Sequence, residues 1–250
     1  MSLRPLLAVI PARLGSKRLP RKNLRAFAGS PLIAHSIRFA AMCSEIDRCV
    51  VSTESEEIAE IARAHGGDVP FMRAEELATD TTPSGPVLQH ALRQVEQQEG
   101  REYGSVLLLQ PTSPVRLPAD LSQALALLER NPDAVGVVAV AETPFNPRYV
   151  CVAQGHELLK MAFPDADGQK HRQDAAEVYR IAGSLYLWRR DYVQSTPDID
   201  FARDPHRMLV IPKERAFDID DLYDFQMAEL AVTNGICPLP WLSVHGAARA

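Results

Sequence analysis

Leu6–Ile10 is an unbroken aliphatic run, a pattern that suits a strand covered on both faces rather than one with a solvated side. The apolar positions then change to a helical period. Ile33, Ile37 and Ala40 form one stripe ending near Met42, with Ser30 placed to cap the helix and Pro31 to occupy its first position. Arg48–Ser52 reads as a second strand, and Thr53 and Glu56 have the spacing of a capping box for a helix that Gly66 and Gly67 stop. Ser84 stands as a cap before a helix carrying Val87, Leu88, Ala91, Leu92 and Val95. A strand over Ser105–Gln110, a helix around Leu121–Leu128 and a strand over Ala134–Val140 continue the cycle.

Strands alternating with helices of about 10–15 residues predict right-handed βαβ units. The expected fold class is therefore α/β: a Rossmann-like, mostly parallel sheet with helices on both faces. Residues 141–178 break the rhythm with Pro144, Pro147 and Pro164 and no segment long enough to complete a unit. They are expected to leave the core as an excursion, a kind of segment that more often serves function or an interface than a bare loop. Tyr179–Trp188 and His206–Ile211 resume regular structure. A last helix follows Asp220, with Leu222, Phe225, Met227 and Leu230 at near-helical spacing. The 250 residues are expected to form a single domain, 1–250, around one main core.

Composition narrows the picture only slightly. A hydrophobic share of 46% and a charged share of 24% fit an ordinary globular protein, and a net charge of −5 argues against a nucleic-acid partner. The longest N-terminal apolar run is too short for a signal-peptide core or a membrane span, so a cytoplasmic, reducing location with no membrane contact is expected. Cys43, Cys49, Cys151 and Cys237 show neither C-x-x-C nor a paired histidine spacing. They predict free thiols rather than a zinc or redox site.

Charge changes the picture at one place. Arg13, Lys17, Arg18, Arg21 and Lys22 follow the first strand with no acid among them, so the rest of the chain carries −10. Ligands of open α/β sheets bind beyond the carboxyl ends of the strands, and a cationic loop there suits a polyphosphate. The loop is neither a Walker A sequence nor a G-x-G-x-x-G turn. Lys17 and Lys22 would act as point charges toward phosphate, and Arg13 could fork onto one phosphate group.

Other constellations lie further along. If the chain is extended at Asp218-Ile219-Asp220, the two carboxylates share one side while Ile219 faces the core, which suits Mg²⁺. The same stretch also suits a helix cap, from Asp220 or Asp221. Gln110, where a buried strand leaves the core, either binds a substrate hydroxyl or ties down the Pro-rich turn after it. Arg73 with Thr79–Ser84 makes a further polar cluster. Arg172 and Arg180 flank the end of the irregular segment, where guanidinium groups serve an anionic sugar acid or surface ion pairs.

Taken together, these blocks resemble the acylneuraminate cytidylyltransferase family, and the likeness spans nearly the whole chain. The blocks are Ile-Pro-Ala-Arg-x-Gly-Ser-Lys-x-x-Pro-x-Lys-Asn at 10–23, Arg73 through Asp80 and Ser84, Leu-Gln-Pro-Thr-Ser-Pro at 109–114, Arg-Gln at 172–173, Tyr-Arg-x-x-Gly-x-x-Tyr at 179–186 and Asp-Ile-Asp at 218–220. The resemblance implies CTP binding by Arg13, Ser16, Lys17, Lys22, Asn23, Arg73 and Ser84, with Mg²⁺ on Asp218 and Asp220. It also implies contacts to a nonulosonic acid from Gln110, Arg172, Arg180 and Tyr186, and a homodimer in which 141–185 is the dimerisation arm. The implied reaction is in-line attack of the acid's anomeric hydroxyl on the α-phosphorus of CTP, with Lys22, Lys17 and Arg13 stabilising the departing pyrophosphate. Arg18 and Ala182 depart from the pattern of many neuraminate-activating members, which leaves the neuraminate, legionaminate and pseudaminate branches open. The rival readings are a related nucleotidyltransferase acting on another sugar acid or a sugar phosphate, and a non-catalytic nucleotide-binding homologue.

Overall fold

The computed structural model describes residues 2–153, 160–163 and 177–243. In chain order the elements begin with β1 (Leu6–Pro11), a small hairpin β2 (Ala26–Phe27) and β3 (Ser30–Pro31), α1 (Leu32–Met42), β4 (Arg48–Ser52) and α2 (Glu56–Ala64). Next come α3 (Ser84–Glu99), β5 (Ser105–Leu108), α4 (Pro118–Glu129) and β6 (Gly136–Glu142). The excursion holds α5 (Pro147–Val150), β7 (Val152–Ala153) and β8 (Lys160–Met161). The chain returns through β9 (Tyr179–Arg189), α6 (Arg190–Ser195), β10 (His206–Val210), α7 (Leu222–Thr233) and α8 (Pro240–Ser243).

Six strands form one sheet in the order β10-β6-β9-β5-β1-β4. All its pairings are parallel except those of β9, which runs antiparallel between β5 and β6. The excursion explains the reversal. It brings the chain back at the edge where β6 ended, so Tyr179 lies opposite Glu142 and β9 must run the other way. Within the excursion β7 pairs with β8 alone, apart from the main sheet.

Burial follows the strand alternation. Leu6, Ala8 and Ile10 of β1 join a core shared with α1, α2, α4 and α7, whereas Leu7 and Val9 point to the other face and pack with residues of α3 and α6. The helices therefore cover both faces, as the sequence predicts.

Several helix starts differ in detail. Pro31 is the N-cap of α1 and Ser30 belongs to β3, because the two-residue hairpin takes up the chain before the helix can begin. Ser55, not Thr53, caps α2 by accepting from the Ile58 amide, while the Thr53 hydroxyl accepts from the Ser55 amide. Ser84 is the first helical residue of α3, one place after its cap at Pro83. In α7 the buried face is Phe225, Ala228, Ala231 and Val232, and Leu222, Met227 and Leu230 are exposed. The small alanines allow the close approach that the larger side chains would prevent. No helix among the described residues is long and apolar enough to cross a membrane.

Candidate active site

The carboxyl ends of β1 and β5 open onto a cleft of ≈ 560 Å³. Arg13, Ser16, Lys17, Lys22, Asn23, Arg73, Ser84, Gln110 and Asp220 all line it, so residues as far apart in the chain as Arg13 and Asp220 face one space. Asp218, Arg180 and Tyr186 stand outside the lining. Arg172 lies outside the described residues.

The basic loop is held from beneath. Asn23 is buried and donates from Nδ2 to the Arg13 carbonyl at 3.0 Å, while its Oδ1 has no partner among the described residues. Glu54 accepts from the Leu14 amide at 2.8 Å with one oxygen and from Arg73 at 2.8 Å with the other. Arg73 also donates to the Ala12 carbonyl at 3.3 Å. That buried guanidinium therefore shapes the loop as well as lining the cleft, a double role that its sequence position did not announce.

Each cationic side of the loop meets an acid from elsewhere. Asp80 pairs with Arg13 and, at 2.6 Å, with Lys17. Hydrogen bonds from Lys17 and Arg13, together with their charges, hold the Asp80 carboxyl below the usual carboxylate range. Asp220 lies 3.2 Å from Arg18 and 3.8 Å from Lys22, and Arg21 pairs with Glu57. Three carboxylates, Asp80, Asp220 and Glu57, thus pair with the five cations of the loop and offset part of its charge.

Lys22 is the least exposed of these cations, with 12% of its side chain open to solvent. Desolvation lowers its pKa, against the opposing pull of Asp220 and Asp218. Its Nζ donates to the Ile219 carbonyl at 2.5 Å, which ties the first strand's loop to the Asp-Ile-Asp segment.

Ile219 is fully buried while Asp218 and Asp220 are exposed, the alternation an extended chain requires. Although Asp218 reaches solvent, the protein crowds its carboxyl on the remaining sides. That desolvation, then the like charge of Asp220, raises its pKa, against a hydrogen bond from Thr112 and the charge of Lys22. Two hard oxygen donors that repel one another fit Mg²⁺, which takes one or two carboxylates and completes its shell with water and phosphate oxygens. Asp221 takes the capping role instead, accepting from the Asp224 amide at 3.0 Å, so capping and metal binding fall to different acids.

Tyr186 on β9 sits opposite Leu108, its ring stacked on Trp188 at 5.5 Å. Burial pushes its hydroxyl up to about 12, with Asp218 adding to the shift. Arg180 donates to the Ala216 carbonyl, two residues before Asp218, and so braces the acidic segment. Between them β9 bulges against β6, and Gly183 adopts φ 70 there. Glu54, Asp80 and Thr112 join the site without a sequence pattern of their own that marks a role. Glu54 stands two residues beyond β4, and the carboxyl-edge rule that flags the basic loop flags it too.

An open α/β sheet with a cation-lined cleft at the carboxyl edge defines a protein of the nucleotide-handling class. The chain belongs to the cytidylyltransferase family, whose model matches residues 7–232. It is 35% identical over 227 residues to the CMP-N,N'-diacetyllegionaminic acid synthase of Legionella pneumophila, covering 90% of this chain and 94% of that one. It is 31% identical over 225 residues to the pseudaminic acid cytidylyltransferase of Campylobacter jejuni, with the same coverage. Among solved structures it shares the fold of a CMP:2-keto-3-deoxy-manno-octonic acid synthetase complexed with CTP. That match has a TM-score of 0.71 at 18% identity and covers 92% of this chain and 99% of the other.

Proposed function

We propose that this protein transfers CMP from CTP to the anomeric hydroxyl of a nonulosonic acid and releases pyrophosphate. The observation that carries the reading is the single cleft in which Arg13, Lys17 and Lys22 face Asp220. Family membership and the names of the relatives support the choice of CTP and of a nonulosonic acid.

In this reading Arg13 and Lys17 exchange Asp80 for phosphate oxygens, and Lys22 stabilises charge developing on the departing pyrophosphate. Ser16, Asn23, Arg73 and Ser84 complete the nucleotide subsite. The unmet Asn23 Oδ1 acceptor is suited to a ligand hydroxyl or amine. Gln110 orients the acid, with Tyr186, Arg180 and Arg172 serving the same substrate. Asp218 and Asp220 would hold Mg²⁺, which when bound neutralises phosphate charge.

A homodimer is part of the proposal, with 141–185 as its arm. Phe145, Val150, Val152, Phe163 and Ile181 expose apolar surface there, which favours burial against a second copy. Light scattering that read a monomer at working concentration would overturn it. A cytoplasmic location is part of the same proposal.

The test supplies CTP, ATP, GTP or UTP with Mg²⁺ and neuraminic, legionaminic or pseudaminic acid, reading pyrophosphate release and product mass. Selective turnover of CTP with one of these acids is expected. Turnover with a sugar phosphate, or with another nucleotide in preference to CTP, would reassign the chemistry. Silence with every acid would overturn it.

A further inference from the structure

Arg116 is fully buried, its guanidinium 5.5 Å over the Phe39 ring. Burial of a charged group is costly unless carboxylates and hydrogen bonds compensate it, and hydrophobic residues often stabilise such positions better. Arg116 lacks a carboxylate partner among the described residues. The nearby Asp120 is engaged instead by both terminal nitrogens of Arg215, at 2.5 and 2.9 Å. Nη1 of Arg116 finds no acceptor there either. Its other nitrogens donate only to backbone carbonyls of one turn: Nη2 to Gln110 at 2.5 Å, and Nε and Nη2 to Ser113 at 3.2 and 2.5 Å. Burial pushes the group down to about 9, against the opposing charge of Asp120.

The turn that Arg116 holds reaches the site by three routes. Gln110, Pro111 and Thr112 line the cleft. The Thr112 carbonyl accepts from the Ile219 amide at 2.8 Å, and the Thr112 side chain acts to lower the pKa of the Asp218 carboxyl. The same Ile219 carries the carbonyl that receives Lys22.

We infer that Arg116 is a positioning residue: by fixing the Gln110–Ser113 turn from behind, it sets the placement of Gln110 and of the Asp218–Asp220 segment. The inference rests on the proposed reaction for its kinetic readout only. Among the described residues Arg116 makes no hydrogen bond to the basic loop, and of that loop's cations Lys22 alone meets Ile219, so nucleotide capture through Arg13 and Lys17 is less exposed to the change than acid alignment. A misplacement of about 1 Å at groups remote from the chemistry can lower rate on the order of 10²-fold.

The experiment compares wild type with Arg116→Lys, which keeps the charge but cannot span two carbonyls with a fork, and with Phe39→Leu, which removes the ring beneath the guanidinium. Circular dichroism checks folding. CTP affinity without metal, kcat/KM for the acid, and hydrogen exchange at the Ile219 amide are then read. For Arg116→Lys we expect CTP affinity within about twofold of wild type. We also expect faster exchange at Ile219 and a loss in kcat/KM of roughly 10–10²-fold. Phe39→Leu follows the same pattern more weakly, and decides the matter if Arg116→Lys does not fold. Unchanged exchange and unchanged kcat/KM, or CTP affinity lost in proportion to turnover, would overturn the inference. The exchange and CTP readouts stand even if the acid itself were misassigned.

Discussion

Gly183 offers a sharp energetic test, because two separate penalties meet there. Its φ of 70 lies in the left-handed region, where an L side chain costs about 1–2 kcal/mol. A Cβ added to it would also stand 2.5 Å from Ser113 Oγ, against 3.3 Å from Gln110 Oε1 and 3.6 Å from Ser113 Cβ. Ser113 is buried, so it cannot swing into solvent to relieve the clash, and such overpacking costs roughly 1–3 kcal/mol. Gly183→Ala alone should therefore cost about 2–5 kcal/mol. Ser113→Ala removes the offending oxygen, which has no hydrogen-bond partner among the described residues, and should itself lie within about 1 kcal/mol of wild type. In the Ser113→Ala background the backbone strain remains, together with the lesser 3.3 Å approach to Gln110 Oε1. Gly183→Ala should then cost about 1–2 kcal/mol, a coupling of roughly 1–3 kcal/mol across the cycle. Urea unfolding at constant pH, with the slope m checked for equality among the four proteins, measures each corner. An equal cost of Gly183→Ala in both backgrounds would refute the close approach and the reasoning built on it.

Other outcomes follow from the same structure. Lys22→Ala and Asp218→Ala should each lower turnover about 10²–10³-fold in a pyrophosphate-release assay, and near-normal rates would remove these residues from the reaction. Asp80→Asn should tighten CTP binding about 2–5-fold in titration calorimetry, because a resident anion no longer competes for Arg13 and Lys17; weaker binding would show that Asp80 assists instead. Ala28 occupies φ 45 in the β2–β3 hairpin, so Ala28→Gly should raise stability by about 0.5–1 kcal/mol in thermal or urea unfolding. Burial lowers the His35 pKa to about 4; its Nε2 faces the Phe27 carbonyl and its Nδ1 accepts from Trp241 at 3.0 Å. The unfolded chain binds the extra proton first, so the stability from neutral His35 is full above the unfolded value near 6.5 and falls away toward pH 4, by on the order of 3 kcal/mol. The stability gap between wild type and His35→Gln should shrink over that window, and a pH-independent gap would contradict the neutral assignment.

Most of the framework was legible from residue order. The aliphatic run at Leu6–Ile10, the stripes of α1 and α3 and the alternation of element types give the α/β class, since each depends on neighbours two to four positions apart. The cleft's cations were equally legible, because the loop after a buried parallel strand must emerge at the carboxyl edge. Helix caps were less so: Ser55 rather than Thr53 serves α2, a choice between adjacent hydroxyls that backbone geometry makes. The buried face of α7 escaped the pattern because the core selected alanines over larger apolar residues.

The sequence by itself determined the local elements, the basic loop and the paired carboxylates around Ile219. Only the tertiary structure decided that β9 runs antiparallel, that Asp80 and Asp220 pair with the loop's cations, and that Arg180 braces Ala216. It alone placed Arg116 beneath the Gln110–Ser113 turn. The physical reason is range. Periodicity reports which side chains share a face of one element, whereas contacts across tens to hundreds of residues are set by strand order and by which buried groups must find a partner.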